Sequence, residues 1–555
     1  MKKNLLTILI LCYINSFGQN YKITYQKYSN GNLEKNQESV AVVTNVNQTK
    51  FYTAYNSDKG QIYPEEFTTI DRKSSHICQY AILNKLRTIF TKDSLSLTKQ
   101  SFEFLSETKK ILGYNCKKAK TIINSNTIEI WYTDELNVKG SPTILGQDLG
   151  LVLEIVRNGN YAITASKIEK VKSIPTTIVS AEAVDALTYK DLLWKSRFTT
   201  IPIFQNQIIN FSHEGTKTNP STTSDSLLRF VNGTVAVRKV KFPEIKSGSQ
   251  IFVDVTEQSN GDAYDRTGSF FIIPTTKSIS FLDGLKNGIK LLPIYDNGNG
   301  KEYQGVVAKD DYEPIIELMR FFTPFGVGKY NSIQLKNKVW ADQVFYRQDV
   351  TDFRSLLSNQ EVYIGINIGN YDKGGHKISA NFTIHNEPEV AITANQIVPL
   401  FCTNNIMEMA GQEYGTMFSS DKGLEINFKL DKPIKNCKLR YITTGHGGWE
   451  NGDEYLPKKN SIFLDGIEVY HFTPWRQDCG SYRLSNPASG NFANGLSSSD
   501  YSRSNWCPGT VTNPIYIDLG NLDSGNHTLQ IKIPLGKPEG NSFSAWNISG
   551  VLIGE

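Results

Sequence analysis

Beyond its signal-like first residues, the chain has no apolar run of the about 20 residues that a membrane-crossing helix needs, so no membrane span is expected. Methionine is scarce, five in 555 residues, against 27 tyrosines, 28 phenylalanines and seven tryptophans. That balance favours sheets over helix bundles. Net charge is small too, +4 over the whole length, which leaves no electrostatic footprint for nucleic acid or an anionic membrane surface. The seven cysteines include no C-x-x-C pair and the seven histidines no metal-ligand spacing. Zinc and redox chemistry are therefore not expected, and neither metal nor cofactor is called for.

What is present begins with an export signal. Lys2 and Lys3 precede an apolar stretch at residues 5–13, and Ser16-Phe17-Gly18 places small residues around a cleavage site. Residues 1–19 are expected to be removed and the protein to be secreted or periplasmic. Cys12 leaves with the signal. Cys78, Cys116, Cys402, Cys437, Cys479 and Cys507 remain, and an even number in an exported chain points to disulfides. Neighbourhood along the chain favours 78–116, 402–437 and 479–507.

The length predicts two to four domains. Residues 20–172 alternate polar and apolar positions in short runs such as Tyr21-Lys-Ile-Thr-Tyr25 and Thr127-Ile-Glu-Ile-Trp-Tyr132, a mostly β unit. A helix follows at 180–197, with Val184, Leu187, Leu192 and Leu193 near one face, inside a connector spanning 173–204. Residues 215–225, rich in Thr, Ser and Pro, read as a loop. From about 205 onward the pattern is all β, with many short strands and Gly/Asn/Asp turns, which argues for sandwiches or jelly rolls.

A repeat divides that part. Residues 260–264 read N-G-D-A-Y and residues 451–455 read N-G-D-E-Y, and Phe322-Thr-Pro-Phe325 matches Phe472-Thr-Pro-Trp475. The first copy carries an insertion at about 275–312. The expectation is an all-β chain with two side-by-side antiparallel jelly rolls, residues 205–390 and 391–555, behind a separate mostly β N-terminal domain. The first loop holds Asp262, Asp265 and Arg266 just ahead of the apolar run at 270–273, and loops on a rigid sheet are where chemistry collects.

Two resemblances add to this. Gly113-Tyr-Asn-Cys-Lys-Lys-Ala119, Ile130-Trp-Tyr-Thr133 and Gly146-Gln-Asp-Leu-Gly-Leu-Val-Leu-Glu154 resemble the small exported β domain named for its G-L-P-G-L-I signature. From about residue 230, Asp262-Ala-Tyr-Asp-Arg266, Arg320-Phe-Phe-Thr-Pro324, Asp349-Val-Thr-Asp-Phe-Arg-Ser-Leu-Leu-Ser358 and Ser502-Arg-Ser-Asn-Trp-Cys-Pro-Gly509 resemble the peptide-N-glycosidase F family in its longer type, with a bowl-like N-terminal domain. The resemblance implies an amidase that cleaves the bond between asparagine and the first N-acetylglucosamine of N-glycans. It implies Asp265 and Glu454 as the catalytic carboxylates, Arg266, Arg503 and Trp506 as substrate contacts, and Cys479–Cys507 as one disulfide. Three departures stand out. Asn367 lies where the family has a glutamate, His446 replaces a tryptophan, and the cysteines flanking the second carboxylate are missing. Asn367 and His446 are therefore further candidates for substrate contact.

Paired carboxylates suit this chemistry. Asp265 would activate water, Glu454 would position it or supply the proton, and Arg266 would steady the carbonyl oxygen or the peptide. Asp262 and Asp453 read as turn-forming residues, and Trp449 and Trp475 as core. The partners expected are N-linked glycoproteins and glycopeptides, met by a monomer. The other readings are a sugar-binding jelly roll without catalysis and a glycoside hydrolase, which also uses paired carboxylates.

Overall fold

The structure is a computed structural model. It describes residues 19–555 except 36, 55–62, 95, 97–98, 176–179, 213–226, 334, 388–394, 448–450 and 538–541. The signal, Cys12, the 215–225 loop, Trp449 and the boundary at 390 thus lie outside the described residues. The chain forms two compact units that divide after Phe198.

The first unit is a 13-stranded sheet. Its first strand, Asn20–Ser29, pairs antiparallel with Tyr161–Val171 on one side and Ser39–Thr44 on the other, so it lies inside the sheet. The predicted alternation holds there: Tyr21, Ile23 and Tyr25 are buried and the residues between them are not. One helix, α1 (Ala186–Lys195), packs Tyr189 with Leu192 and Leu193 onto Ala81, Leu83 and Ile89. Asp185 caps it, accepting from the amides of Leu187 and Thr188. The helix therefore starts later than the sequence pattern implied, and Leu187 is 79% exposed. Positions 189, 192 and 193 share the buried face at helical spacing, whereas 187 points away from it.

The second unit holds the repeat. In the first copy, strands β1 (Phe198–Ile209), β2 (Val235–Lys241), β3 (Gln250–Ser259), β4 (Thr267–Ile273), β5 (Ile316–Phe322), β6 (Val344–Asp349), β7 (Glu361–Ile368) and β8 (His376–His385) form two sheets. Their orders are β1-β8-β3-β6 and β2-β7-β4-β5. In the second copy, β9 (Gln396–Cys402), β10 (Leu424–Leu430), β11 (Ile434–Gly447), β12 (Asn460–Leu464), β13 (Ile467–Phe472), β14 (Ile515–Leu522), β15 (Gly525–Lys532) and β16 (Ser544–Gly554) do the same. Their orders are β9-β16-β11-β14 and β10-β15-β12-β13. Among these eight the strand order is the same in both copies, with first and last strands adjacent, which is jelly-roll topology; the first copy carries one further strand, Leu227–Phe230, paired outside β2. The N-G-D loops join β3 to β4 and β11 to β12, in each case crossing from one sheet to the other. A short strand, Val511–Thr512, from the second copy's chain pairs with β5 at the edge of the first copy's sheet.

Strands β5 and β16 are buried along their whole length, as strands covered on both faces must be. Between them lies a polar seam. Arg320 donates to both oxygens of Glu317, to Asn404 Oδ1, to Thr444 Oγ1 and to the Asn547 carbonyl. Arg440 donates to the carbonyls of Glu317 and Leu318. All three nitrogens of Arg320 and both terminal nitrogens of Arg440 have acceptors, while Arg440 Nε has none; pairing of this kind is what permits charges there.

Of the three expected disulfides only Cys479–Cys507 forms; Cys78, Cys116, Cys402 and Cys437 are free. The sheets explain this. Seven strands separate the strand of Cys78 from that of Cys116. Between β9 and β11 runs β16, on which Cys402 faces Ser549 while Lys438, next to Cys437, faces Ile553. Two strand spacings of about 4.8 Å each exceed the reach of a disulfide, about 7 Å between Cα atoms. Alkylation of the denatured, unreduced protein should therefore label Cys78, Cys116, Cys402 and Cys437. Cys479 and Cys507 should stay unlabelled in the peptide map.

Candidate active site

The first loop is held in place from several sides. Asp262 is buried, accepts from the Tyr264 amide as an Asx turn, and binds Arg266 through Nε at 2.7 Å and Nη2 at 3.3 Å. Burial opposes its charge, but His376 and Arg266 hold its carboxyl well below the usual carboxylate range. Thr323, in the Phe-Thr-Pro-Phe turn after β5, accepts from the Arg266 amide at 2.8 Å and donates to the Tyr264 carbonyl. These bonds close a short turn around Asp265. The Arg266 guanidinium lies 5.0 Å from the Tyr264 ring and 5.6 Å from that of Tyr371. Both tyrosines are more than half exposed.

The second loop is held differently. Asp453 is no simple turn residue. Its carboxylate accepts from the Gly536 amide and from the Trp546 indole at 2.8 Å. Ser504 donates its amide to the Glu454 carbonyl and its hydroxyl to the Asp453 carbonyl. These bonds fix the loop that the missing cysteines leave unbridged. Gly445 is needed beside it, because a Cβ there would lie 2.7 Å from the Asp453 carbonyl oxygen.

Arg503 joins the two loops. Its Nη1 contacts Asp265 Oδ2 at 3.3 Å and pairs closely with Glu454 Oε1. Nη2 donates to the carbonyl and hydroxyl of Ser498. The side chain is 1% exposed, whereas Asp265 and Glu454 keep 15% and 18%. Two carboxylates from two jelly rolls thus meet one buried guanidinium at the bottom of a site that still reaches solvent. Burial and the neighbouring Glu454 push Asp265 up to about 7, even though Arg503 and Arg266 pull the other way. Its buried Oδ2 has no hydrogen-bond partner. A carboxyl so placed exchanges a proton near neutral pH.

Trp506 and His446 sit behind the arginine. Trp506 is 4% exposed, stacks on Phe322 at 4.3 Å and donates to the Gly445 carbonyl. The Arg503 guanidinium covers it at 4.3 Å. With Phe322 stacked on it and the guanidinium over it, Trp506 packs against Arg503 and is largely covered. His446 stacks on Phe322 and bonds Thr444 Oγ1 at 2.8 Å. Burial, with Arg320 and Arg503 nearby, lowers its pKa to about 3 and keeps it neutral. Asn367 is buried and donates to the Thr234 carbonyl at 3.1 Å, a backbone contact between strands. Trp475, which follows β13 in the second copy's F-T-P-W turn, is only partly buried, so it is not the core residue expected. The Arg503 segment is pinned by the Cys479–Cys507 disulfide and by the backbone pair Arg476–Arg503.

Sequence reading did not single out Glu257, His376 or the Glu317–Arg320 pair. For Arg320 the signal was available: a charge inside the apolar run at 318–322. Among the described residues no cluster of His, Cys, Asp and Glu is arranged to hold a metal, and no helix is long and apolar enough to cross a membrane.

Residues 23–191 match the family model described as N-glycanase peptide, N-terminal domain. Residues 200–384 and 413–553 match those described as peptide-N-glycosidase F, N terminal and C terminal. Two solved structures of PNGF-II are similar over nearly the whole chain. The one in space group P21 is 55% identical with a TM-score of 0.89, covering 97% of this chain and 99% of that one. The one in space group C2 is 54% identical with a TM-score of 0.81, covering 97% and 98%. Among curated proteins none matches the chain.

Proposed function

The chain belongs to the peptide-N-glycosidase F family, and from that premise we propose that it hydrolyses the amide between an asparagine side chain and the first N-acetylglucosamine of an N-glycan. The observation that carries the site assignment is the pair Asp265 and Glu454 meeting on Arg503 Nη1. An amide resists water, so the reaction needs a base for the attacking water and a proton for the leaving nitrogen. Asp265, ionised above about 7, takes a proton from water as its oxygen bonds to the amide carbon. Arg266, with Nε and Nη2 spent on Asp262, turns its remaining nitrogen to the oxyanion that develops. The carbon–nitrogen bond then breaks as nitrogen receives a proton from the carboxyl pair. The products are a peptide with aspartate in place of asparagine and a glycosylamine. Arg503 keeps both carboxylates close enough to share that proton, and Trp506 keeps Arg503 in place.

We take the protein to act as an exported monomer; the Cys479–Cys507 disulfide fits an oxidising compartment. Incubation with an N-glycopeptide and mass spectrometry of the peptide tests the reading. Conversion of the linkage asparagine to aspartate is expected. A sugar left on asparagine would mean a glycosidase instead, and an intact glycopeptide would mean a sugar-binding protein.

A further inference from the structure

We propose that His376 is a positioning residue for this reaction, holding the Asp262–Arg266 clamp that shapes the loop around Asp265. The inference rests on the amidase reading of the same site. His376 is the first residue of β8 and is fully buried, opposite Ser259 at the end of β3. Its Nδ1 meets Glu257 Oε1 at 2.8 Å and its Nε2 faces Asp262 Oδ2 at 3.5 Å. Glu257 is itself buried, and its other oxygen lies 3.5 Å from the hydroxyl of Tyr346, which donates to the Phe322 carbonyl. A continuous chain of side chains therefore runs Tyr346, Glu257, His376, Asp262, Arg266. All but the last are buried, and Arg266 opens onto the site.

Turn formation alone does not require this construction. The Asx bond of Asp262 to Tyr264 needs only one neutral acceptor oxygen, which asparagine also supplies. The second oxygen, and the charge, face His376 and Arg266. An imidazolium here pairs with Glu257 through Nδ1 and sets its charge 3.5 Å from Asp262, which makes it favourable to keep Asp262 ionised out of water. Burial acts against the imidazolium, but Asp262 and Glu257 raise it to about 9, so His376 stays charged at working pH; burial shifts the Glu257 carboxyl upward. An ionised Asp262 fixes Arg266 through two nitrogens. Because Asp262 and Arg266 flank Asp265, the same clamp sets where that carboxylate points. Misplacement of a reacting group by about 1 Å costs about 100-fold in rate.

The test measures kcat and KM on an N-glycopeptide for wild type, His376→Gln, Asp262→Asn, Arg266→Ala and the two doubles with Arg266→Ala. Melting temperature is recorded throughout. His376→Gln should lose about 10- to 100-fold in kcat/KM with the protein folded, and should lose little more when Arg266 is already alanine. Effects that pass through a shared partner do not add, whereas a purely structural defect would add in full. If His376→Gln fails to fold, Asp262→Asn decides, since asparagine keeps the turn and removes only the charge. It should show the same loss and the same lack of additivity. Full activity in the deciding variant, or a loss that adds completely to that of Arg266→Ala, overturns the proposal. A wild type that converts no asparagine to aspartate overturns the amidase reading and this inference with it. An active wild type beside an unaffected His376→Gln overturns this inference alone.

Discussion

Asp265→Asn is expected to lose glycan release by about 100- to 10,000-fold, the range a general base contributes, while becoming more stable than wild type above neutral pH. The two effects have one cause. In an unfolded chain an aspartate ionises near pH 3.9, as model peptides do, whereas Asp265 in the folded protein does so at about 7. Between these values the folded state holds a proton that the unfolded state has lost. The stability this group contributes is therefore fully present below about pH 4 and is lost as pH rises through about 7. Asparagine has no charge to bury and escapes that loss. Thermal melts of both proteins at about pH 5 and about pH 8 should show the variant gaining on wild type at the higher value. A gap that does not change with pH would contradict the assignment of the raised group.

Arg503→Met should be the most damaging single change at the site, for activity and stability together. It leaves Asp265 and Glu454 facing each other without the cation that both contact. Removing one partner of a buried charge cluster costs about 3–5 kcal/mol. The activity loss at neutral pH should reach about 100-fold or more. Its pH dependence should also move in a stated direction. Arg503 lowers the Asp265 pKa, so without it the carboxyl ionises at higher pH and the acid limb of activity shifts upward. Arg503→Lys should recover part of the stability and little of the rate. A single ammonium cannot bridge both carboxylates while bonding Ser498 as the planar fork does. Melting temperature and a pH–rate profile on an N-glycopeptide check both statements, and a variant with an unshifted limb would sink the coupling.

The architecture was legible in the sequence for a simple reason. The repeat lay at the two loops that cross between sheets, and the identical strand orders extend it to eight strands in each copy. Asp265 and Glu454 became candidates through the family resemblance; standing in those loops alone, each would have read as a turn or solvated charge. The seam was not. In a regular strand residues 317 and 320 face opposite sides. A bulge at Leu318, where Met319 faces Phe270 and Glu317 faces Phe271, returns Arg320 to the side of Glu317. Only register reveals that. His376 was invisible for a similar reason: its partners Glu257 and Asp262 lie more than a hundred residues away and meet it only through β3–β8 pairing. The packing of Trp506 under the Arg503 guanidinium was not legible, because a tryptophan beside an arginine and one that lines a sugar site read alike in sequence. The disulfides at Cys78 and Cys402 failed because chain neighbourhood says nothing about which strands lie between two cysteines.

The central claim is that Asp265, where the two jelly rolls meet on Arg503, is held protonated up to about 7 by burial and by the neighbouring Glu454. The pH dependence of kcat/KM reports the free enzyme's essential groups, and measuring it on an N-glycopeptide for wild type and Glu454→Gln tests the claim most directly. The wild type should show an acid limb with its midpoint at about 7. The residual activity of Glu454→Gln should show that limb at lower pH, because the neighbouring charge that raises Asp265 is gone. A wild-type limb in the ordinary aspartate range, or one that Glu454→Gln leaves in place, would contradict it.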